Sequence, residues 1–179
     1  MDASAWSTQQ LAEFIAAVSA AETRPAAARA AVERAAEALD ADVAALVARD
    51  ELVAVVGYPQ GRAPVAELTA VRPGVADCRL DVPGVGSCPA AAATLEHPPG
   101  ATLVVARQGP DGLAPEEIGL LRGMARVAAL TMQLLGVVDS EGRAATYTGS
   151  ECMTWAGGAT GYGYAIQGNI LAGSRVVAS

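Results

Sequence analysis

Few side chains in this sequence could carry acid–base chemistry. His97 is the only histidine, and it precedes two prolines in a segment typical of a surface turn. A general base needs a partner and a pocket, so we expect His97 to be an ordinary loop residue. Glu116 and Glu117 are adjacent at the start of a predicted helix and face different directions, which argues against a catalytic carboxylate pair. We therefore expect no catalytic residue.

The basic residues exclude several further mechanisms. All 12 are arginine, so the chain has no lysine for a P-loop, a Schiff base or a Ser-Lys dyad. The net charge is −7. A nucleic-acid ligand requires a basic face that displaces counterions, and an anionic membrane surface attracts basic segments. We expect neither partner.

Three cysteines, Cys78, Cys88 and Cys152, form an odd set with irregular spacing. This spacing fits neither a disulfide framework nor a metal site. The start of the chain lacks the pattern of a signal peptide, so we expect a protein of the reducing cytoplasm. Cys78 and Cys88 flank a loop rich in glycine and proline. Redox sensing there requires an exposed thiol of lowered pKa, and buried apolar cysteines are the interpretation we favour.

The first 56 residues predict two helices and a β-hairpin. Leu11, Phe14 and Val18 form one apolar stripe of a helix over 6–20, which Ser7 and Gln10 would open as a capping box. A second helix is predicted from Pro25 to Asp40, since proline suits a first turn. The hydrophobic period then changes, and strands over 43–48 and 52–56 flank a polar turn.

The next 80 residues predict the remainder of a sheet and a long helix. The segment 58–86 is rich in glycine and proline, with a short helix near Val65–Val71. Strands are predicted over 88–95 and 101–108, and a helix begins at Pro115 and ends near Leu135. This order predicts an α+β fold in which an antiparallel sheet carries helices mainly on one face.

The long helix has two apolar stripes. One stripe suffices to pack on a sheet, so a second indicates either a partner helix or burial between the sheet and the first two helices. We expect a homodimer through the first stripe, which consists of Ile118, Leu121, Ala125, Ala128, Met132 and Leu135. The second stripe consists of Leu120, Met124, Val127, Thr131 and Leu134.

Four segments in this order resemble a known family. They are residues 30–39 (AAVERAAEAL), 53–59 (VAVVGYP), 103–107 (LVVAR) and 115–125 (PEEIGLLRGMA). Together they resemble the GAF domains of actinobacterial signalling proteins, over residues 7–135. The resemblance implies a sensor domain, a ligand pocket between the sheet and the insert 58–88, and dimerisation through terminal helices. The pocket would be lined by Val55, Tyr58, Leu68, Cys78, Cys88 and Val104.

The ligand itself is unknown from the sequence. The asparagine- and lysine-containing signature of relatives that bind cyclic nucleotides is absent, and Cys78 and Cys88 lack the following histidine that bilin attachment requires. Walls of alanine, valine and leucine favour an apolar or flat ligand. We expect a non-catalytic sensory or regulatory module in signal transduction. The alternatives are a structural dimerisation module without ligand and an amidase that acts through the C-terminal segment.

The composition changes at about residue 136. The last 44 residues hold nine of the 19 glycines and four of the seven aromatic residues. The segments 155–157 (WAG) and 167–169 (QGN) resemble the middle of an uncharacterised bacterial domain of unknown function with an Ntn-hydrolase-like fold. We therefore predict a sensor domain over 1–135 and a fragment of this second domain over 136–179. The fragment should begin with a hairpin over 137–147.

Overall fold

A computed structural model of the chain describes residues 3–75, 77–96, 100–133, 135–138, 144–147, 156–162 and 164–169. The helices are α1 (Ala3–Ser19), α2 (Arg24–Ala38), α3 (Val65–Ala70) and α4 (Pro115–Gln133). Five strands form the main sheet: β1 (Val43–Ala48), β2 (Glu51–Val56), β3 (Arg79–Val82), β4 (Gly86–Leu95) and β5 (Ala101–Ala106). Within the described residues, no helix is both long enough and apolar enough to cross a membrane.

The two N-terminal helices begin differently from one another. Thr23 caps α2, where its side-chain oxygen accepts a hydrogen bond from the Ala26 amide at 3.3 Å, and Pro25 lies in the first turn as predicted. Helix α1 instead begins at Ala3. Ser7 and Gln10 consequently lie inside the helix, and the predicted capping box is wrong.

The main sheet has the order β2-β1-β5-β4-β3, with every neighbouring pair antiparallel. Helices α1, α2 and α4 cover one face, where Phe14, Val32, Leu46, Leu103 and Leu121 are buried together. The predicted hairpin of β1 and β2 and the predicted α+β fold with helices mainly on one face are confirmed. Strand β3, by contrast, lies within the segment in which only α3 was predicted.

The position of α4 corrects the predicted dimer interface. Leu121, Ala125 and Ala128 of the first stripe are fully buried in the core of the chain itself. Leu135 does not belong to the helix, because α4 ends at Gln133 and Leu135 opens the next strand. Both stripes contribute to one core, as expected for a helix packed between the sheet and the first two helices. The homodimer remains a prediction, but Leu121, Ala125 and Ala128 are not accessible to a second chain.

The C-terminal segment contains two short hairpins. Strand β6 (Leu135–Val138) pairs with β7 (Ala144–Tyr147), which confirms the hairpin predicted there. Strand β8 (Ala156–Gly161) pairs with β9 (Tyr164–Asn169), and the two hairpins contact each other. The predictions for His97 and Cys152 fall on residues outside those that the structure describes.

Candidate ligand pocket

The second face of the sheet has a separate apolar core. Successive side chains of a strand point to opposite faces, so Val43, Ala45 and Val47 of β1 point away from the large helices. The insert between β2 and β4 covers this face, and Leu68 of α3 and Leu80 of β3 are buried against it. The fold thus has a helix-covered core on one face and an insert-covered core on the other.

All six residues predicted to line a pocket meet in this second core. Leu68, Cys88 and Val104 are buried there. Val55, Tyr58 and Cys78 are half-buried and pack against the same cluster. The residues come from β2, the insert, β4 and β5, so the sheet and its cover contribute jointly. Whether a ligand binds among them remains a prediction.

A few polar contacts attach the insert to the rest of the sheet. The Tyr58 hydroxyl donates a hydrogen bond to the Asp81 carbonyl oxygen at 2.6 Å, which joins the end of β2 to β3. The Arg79 Nε donates to the Ser87 Oγ at 2.9 Å. The Ala90 amide donates to the Cys78 carbonyl oxygen at 2.8 Å. Each bond of this kind contributes about 1 kcal/mol, so the cover is held at several separate points.

The insert-covered core disfavours negative charge. Burial, together with the nearby carboxylates of Glu67 and Asp81, raises the pKa of Tyr58 to about 12. The pKa of the Cys88 thiol is also raised, mainly by burial and then by the Asp42 carboxylate, although Arg79 acts in the opposite direction. A reactive thiolate requires a lowered pKa, so both the burial and the raised pKa of Cys88 disfavour its thiolate form.

The turn that leads from β2 into the insert requires glycine. Gly57 has a φ of +89°, and an added Cβ would overlap the carbonyl oxygen of Asp42 and the backbone of Val43. Any other residue would both adopt a left-handed conformation and collide with the start of β1. Gly57 therefore determines where Tyr58 leaves the sheet.

An ion pair that was not predicted from the sequence lies at the other face of the sheet. Arg107, just after β5, contacts Glu117 of α4 through two hydrogen bonds of 2.6 and 2.8 Å. Arg107 also donates to the Leu39 carbonyl oxygen at 3.2 Å, and Glu117 accepts from the Ala114 amide at 2.7 Å. The role of Glu117 at the helix start was predictable from the sequence, since it is three residues after the N-cap position of α4, where a glutamate commonly accepts a hydrogen bond from the N-cap amide. The pair joins α2, β5 and α4 and has a structural role.

Side chains that could bind a metal do not gather in the described part of the chain, where no three His, Cys, Asp or Glu residues cluster. Two surface grooves lie beside α4, and neither contains any of the six predicted pocket residues. One, of about 450 Å³, lies between α1 and α4, and the other, of about 480 Å³, lies between α4 and β4. Gly119 and Gly123 line both grooves.

Two solved structures resemble this chain in fold. The GAF domain of a protein described as a sensor histidine kinase from Pseudomonas syringae pv. tomato is 17% identical, with a TM-score of 0.51 over 70% of this chain and 84% of its own. The GAF domain of an Acinetobacter phosphoenolpyruvate-protein phosphotransferase is 15% identical, with a TM-score of 0.49 over 70% of this chain and 91% of its own. The first likeness shows that the fold is GAF-like.

The C-terminal part matches a different family. Residues 111–179 match a family of unknown function, DUF1028. This supports the resemblance of the C-terminal segment to an uncharacterised family, but it gives no evidence for an Ntn-hydrolase fold. The match begins before α4, well ahead of the change in composition at 136. No curated protein matches the sequence.

Proposed function

We propose that this chain is a non-catalytic sensory or regulatory module in signal transduction, which binds a small neutral ligand between its sheet and the insert 58–88. The observation that carries the proposal is the meeting of all six predicted pocket residues in one core, apart from the helix-covered core. Because the two cores lie on opposite faces, the insert can rearrange around a ligand while the helices keep the sheet intact.

The surroundings of Tyr58 favour a neutral, apolar or flat ligand. Leu68, Val104 and the other walls are apolar, and such walls bind ligands mainly through buried apolar area. The carboxylates of Glu67 and Asp81 already oppose ionisation of Tyr58, and they would oppose an anionic ligand in the same way. The two described cysteines are free, which agrees with the reducing cytoplasm that we propose as the location.

The rim of the core offers a route inward. Val55, Tyr58 and Cys78 are half-exposed, whereas the residues beneath them are buried. A ligand that parts the contacts of the insert must replace the bond between Tyr58 and Asp81, which contributes about 1 kcal/mol. The movement of β3 and α3 that follows would report ligand binding to a partner.

Thermal unfolding of the full chain with a matched pair of compounds tests the proposal. Indole is neutral and flat, and benzoate is an aromatic ring of comparable size with a negative charge. We expect indole to raise Tm, since a ligand at a hundred times its Kd stabilises the folded state by about 2.7 kcal/mol. Benzoate should raise Tm less.

Two tryptophan variants locate the effect. Val55→Trp fills the rim and should abolish the response to indole. Val53→Trp lies on the same strand but is 45% exposed, so it should leave the response unchanged. The proposal would be contradicted if indole gave no stabilisation at saturation, or if it stabilised Val55→Trp as much as the unaltered chain.

A further inference from the structure

Strand β4 is longer than the strand that pairs with its outer edge. Residues 86–89 of β4 pair with β3, and residues 90–95 pair with β5 on the other side. Beyond residue 90, no strand in the described part of the chain lies on the outer edge. An unpaired edge of this kind is a template for another strand.

The main-chain groups on this edge follow from the hydrogen bonds at residues 89 and 90. The Ala90 amide donates outward to Cys78, whereas the Pro89 carbonyl oxygen accepts inward from the Arg107 amide. Because the direction alternates along a strand, the N–H and C=O groups of Ala92 and Thr94 also point outward. These four groups have no strand partner among the described residues.

The groove of about 480 Å³ runs along this edge. Ala92, Ala93 and Thr94 form one wall, and α4 forms the other. The helix wall is recessed at Gly119, where an added Cβ would meet no atom within 4 Å. Pro73 and Gly74 line the groove from the insert. A slot between a strand edge and a helix suits an extended peptide, which adds a strand to the sheet.

The charge of the groove selects the peptide. Arg122 is exposed and forms no ion pair with any described residue. Arg126 pairs with Glu96 at 3.3 Å, so its charge is balanced. Among the described residues, the groove therefore presents one uncompensated positive charge, on a chain whose net charge is −7.

We propose that this groove binds an extended acidic peptide of a partner protein. The peptide adds as a strand to residues 92–94, and one of its carboxylate side chains pairs with Arg122. A small anion could satisfy Arg122 but would leave the outward groups of both Ala92 and Thr94 unpaired, so the edge favours a peptide. The groove shares Ala92 with the insert-covered core but contains none of the six residues of the proposed ligand pocket, so the proposal does not depend on that function.

Fluorescence anisotropy with labelled peptides tests the proposal on the full chain. The probe is a hexapeptide of alternating valine and glutamate, which spans about 20 Å as a strand. We expect it to bind, and the matched peptide of alternating valine and lysine to bind at least about tenfold more weakly, since like charges repel at Arg122. Two N-methylated versions of the acidic peptide block alternate sets of amides. Only methylation of the amides that face the edge of β4 should abolish binding.

Two pairs of variants assign binding to this groove. Thr94→Pro removes the outward N–H without touching the bonds between β4 and β5, and should reduce affinity at least about tenfold. Thr94→Val keeps the N–H and should bind normally. Arg122→Ala should weaken binding about fivefold, as expected for an exposed ion pair. Arg62→Ala, an exposed arginine of the insert, should have no effect.

Other outcomes would overturn the proposal. These are equal binding of the acidic and basic peptides, loss of binding with both N-methylated versions or with neither, or normal binding by Arg122→Ala. If Thr94→Pro fails to fold, the N-methylated peptides and Arg122→Ala decide alone. A dimeric chain that Thr94→Pro converts to a monomer would show that a second copy, rather than a partner peptide, occupies the edge.

Discussion

Arg107 and Glu117 show how single residues hold this fold together. Both side chains are largely buried, with exposed fractions of 25% and 18%. Burial alone would raise the pKa of Glu117, but hydrogen bonds from Arg107 and Ala114 and the charge of Arg107 lower it overall. The pKa of Arg107 is raised, chiefly by its hydrogen bonds to Glu117. The pair thus stabilises the charged form of each partner.

We expect Glu117→Gln to lower the free energy of unfolding by about 2 kcal/mol, because Arg107 would keep its burial without a counter-charge. Urea denaturation at neutral pH measures this loss. Glu116→Gln is the matched control, since Glu116 is exposed in the same helical turn and should change stability little. Equal losses for the two variants would mean that the ion pair contributes nothing specific.

The same pair predicts a dependence on pH. Because the pKa of Glu117 is lowered in the folded state, its contribution is fully present above the unfolded pKa of about 4.3. It is lost as the pH falls through the lower, folded value. The difference in stability between the unaltered chain and Glu117→Gln should therefore be constant near neutrality and shrink below about pH 4. A difference that stays constant into strong acid would contradict this assignment.

Gly57 allows a matched comparison with Gly61. Both have positive φ, +89° and +73°, but only at Gly57 would a Cβ overlap neighbouring backbone. Alanine in a left-handed conformation costs about 1 kcal/mol, so Gly61→Ala should lower the free energy of unfolding by that amount. Gly57→Ala should lower the free energy of unfolding by at least about 2 kcal/mol more, because β1 must shift to make room for the Cβ. Chemical denaturation of both variants checks this, and similar losses would show that the clash is relieved freely.

At the scale of elements, helices and strands could be predicted from the sequence where the apolar residues followed a single period. The β1–β2 hairpin and α2 were predictable from a run of apolar residues and from Pro25. Strand β3 was not, because it has four residues within a segment rich in glycine and proline, and its pairing with β4 is a tertiary contact. The pocket residues were predictable only through the resemblance to GAF domains, since their spacing along the chain follows no single period.

Helix α4 shows a second limit of sequence patterns. Two apolar stripes are equally consistent with a dimer and with a helix covered on two sides, and only the packing of α1 and α2 decides between them. Ala125 is fully buried and Leu130 is 43% exposed. We expect Ala125→Asp to unfold the chain, since an unpaired charge would be buried. Leu130→Glu should leave Tm nearly unchanged, which thermal melts of both variants would check. If Ala125→Asp were instead a folded monomer, this would indicate that the stripe forms a dimer interface.

At the scale of the whole molecule, two similarities overlap in one helix. The GAF-like fold needs α4, since Leu121, Met124 and Ala125 are fully buried in its core. The match to the family of unknown function also includes α4, because it begins at residue 111. The packing assigns this helix to the GAF-like part. Among the few side chains described in the second C-terminal hairpin, Tyr162 is 88% exposed and Ile166 is 43% exposed.

Two truncations test where the folding unit ends. A chain of residues 1–136 keeps α4 and should melt close to the full chain, because the C-terminal hairpins contact mainly one another among the described elements. A chain of residues 1–110 loses α4 and should not fold, since the side chains that α4 buries would leave a large cavity. In the full chain, amides of 164–169 should exchange with solvent faster than those of 43–56. Failure of 1–136 to fold, or strong protection of 164–169, would show that the C-terminal segment is an integral part of one domain.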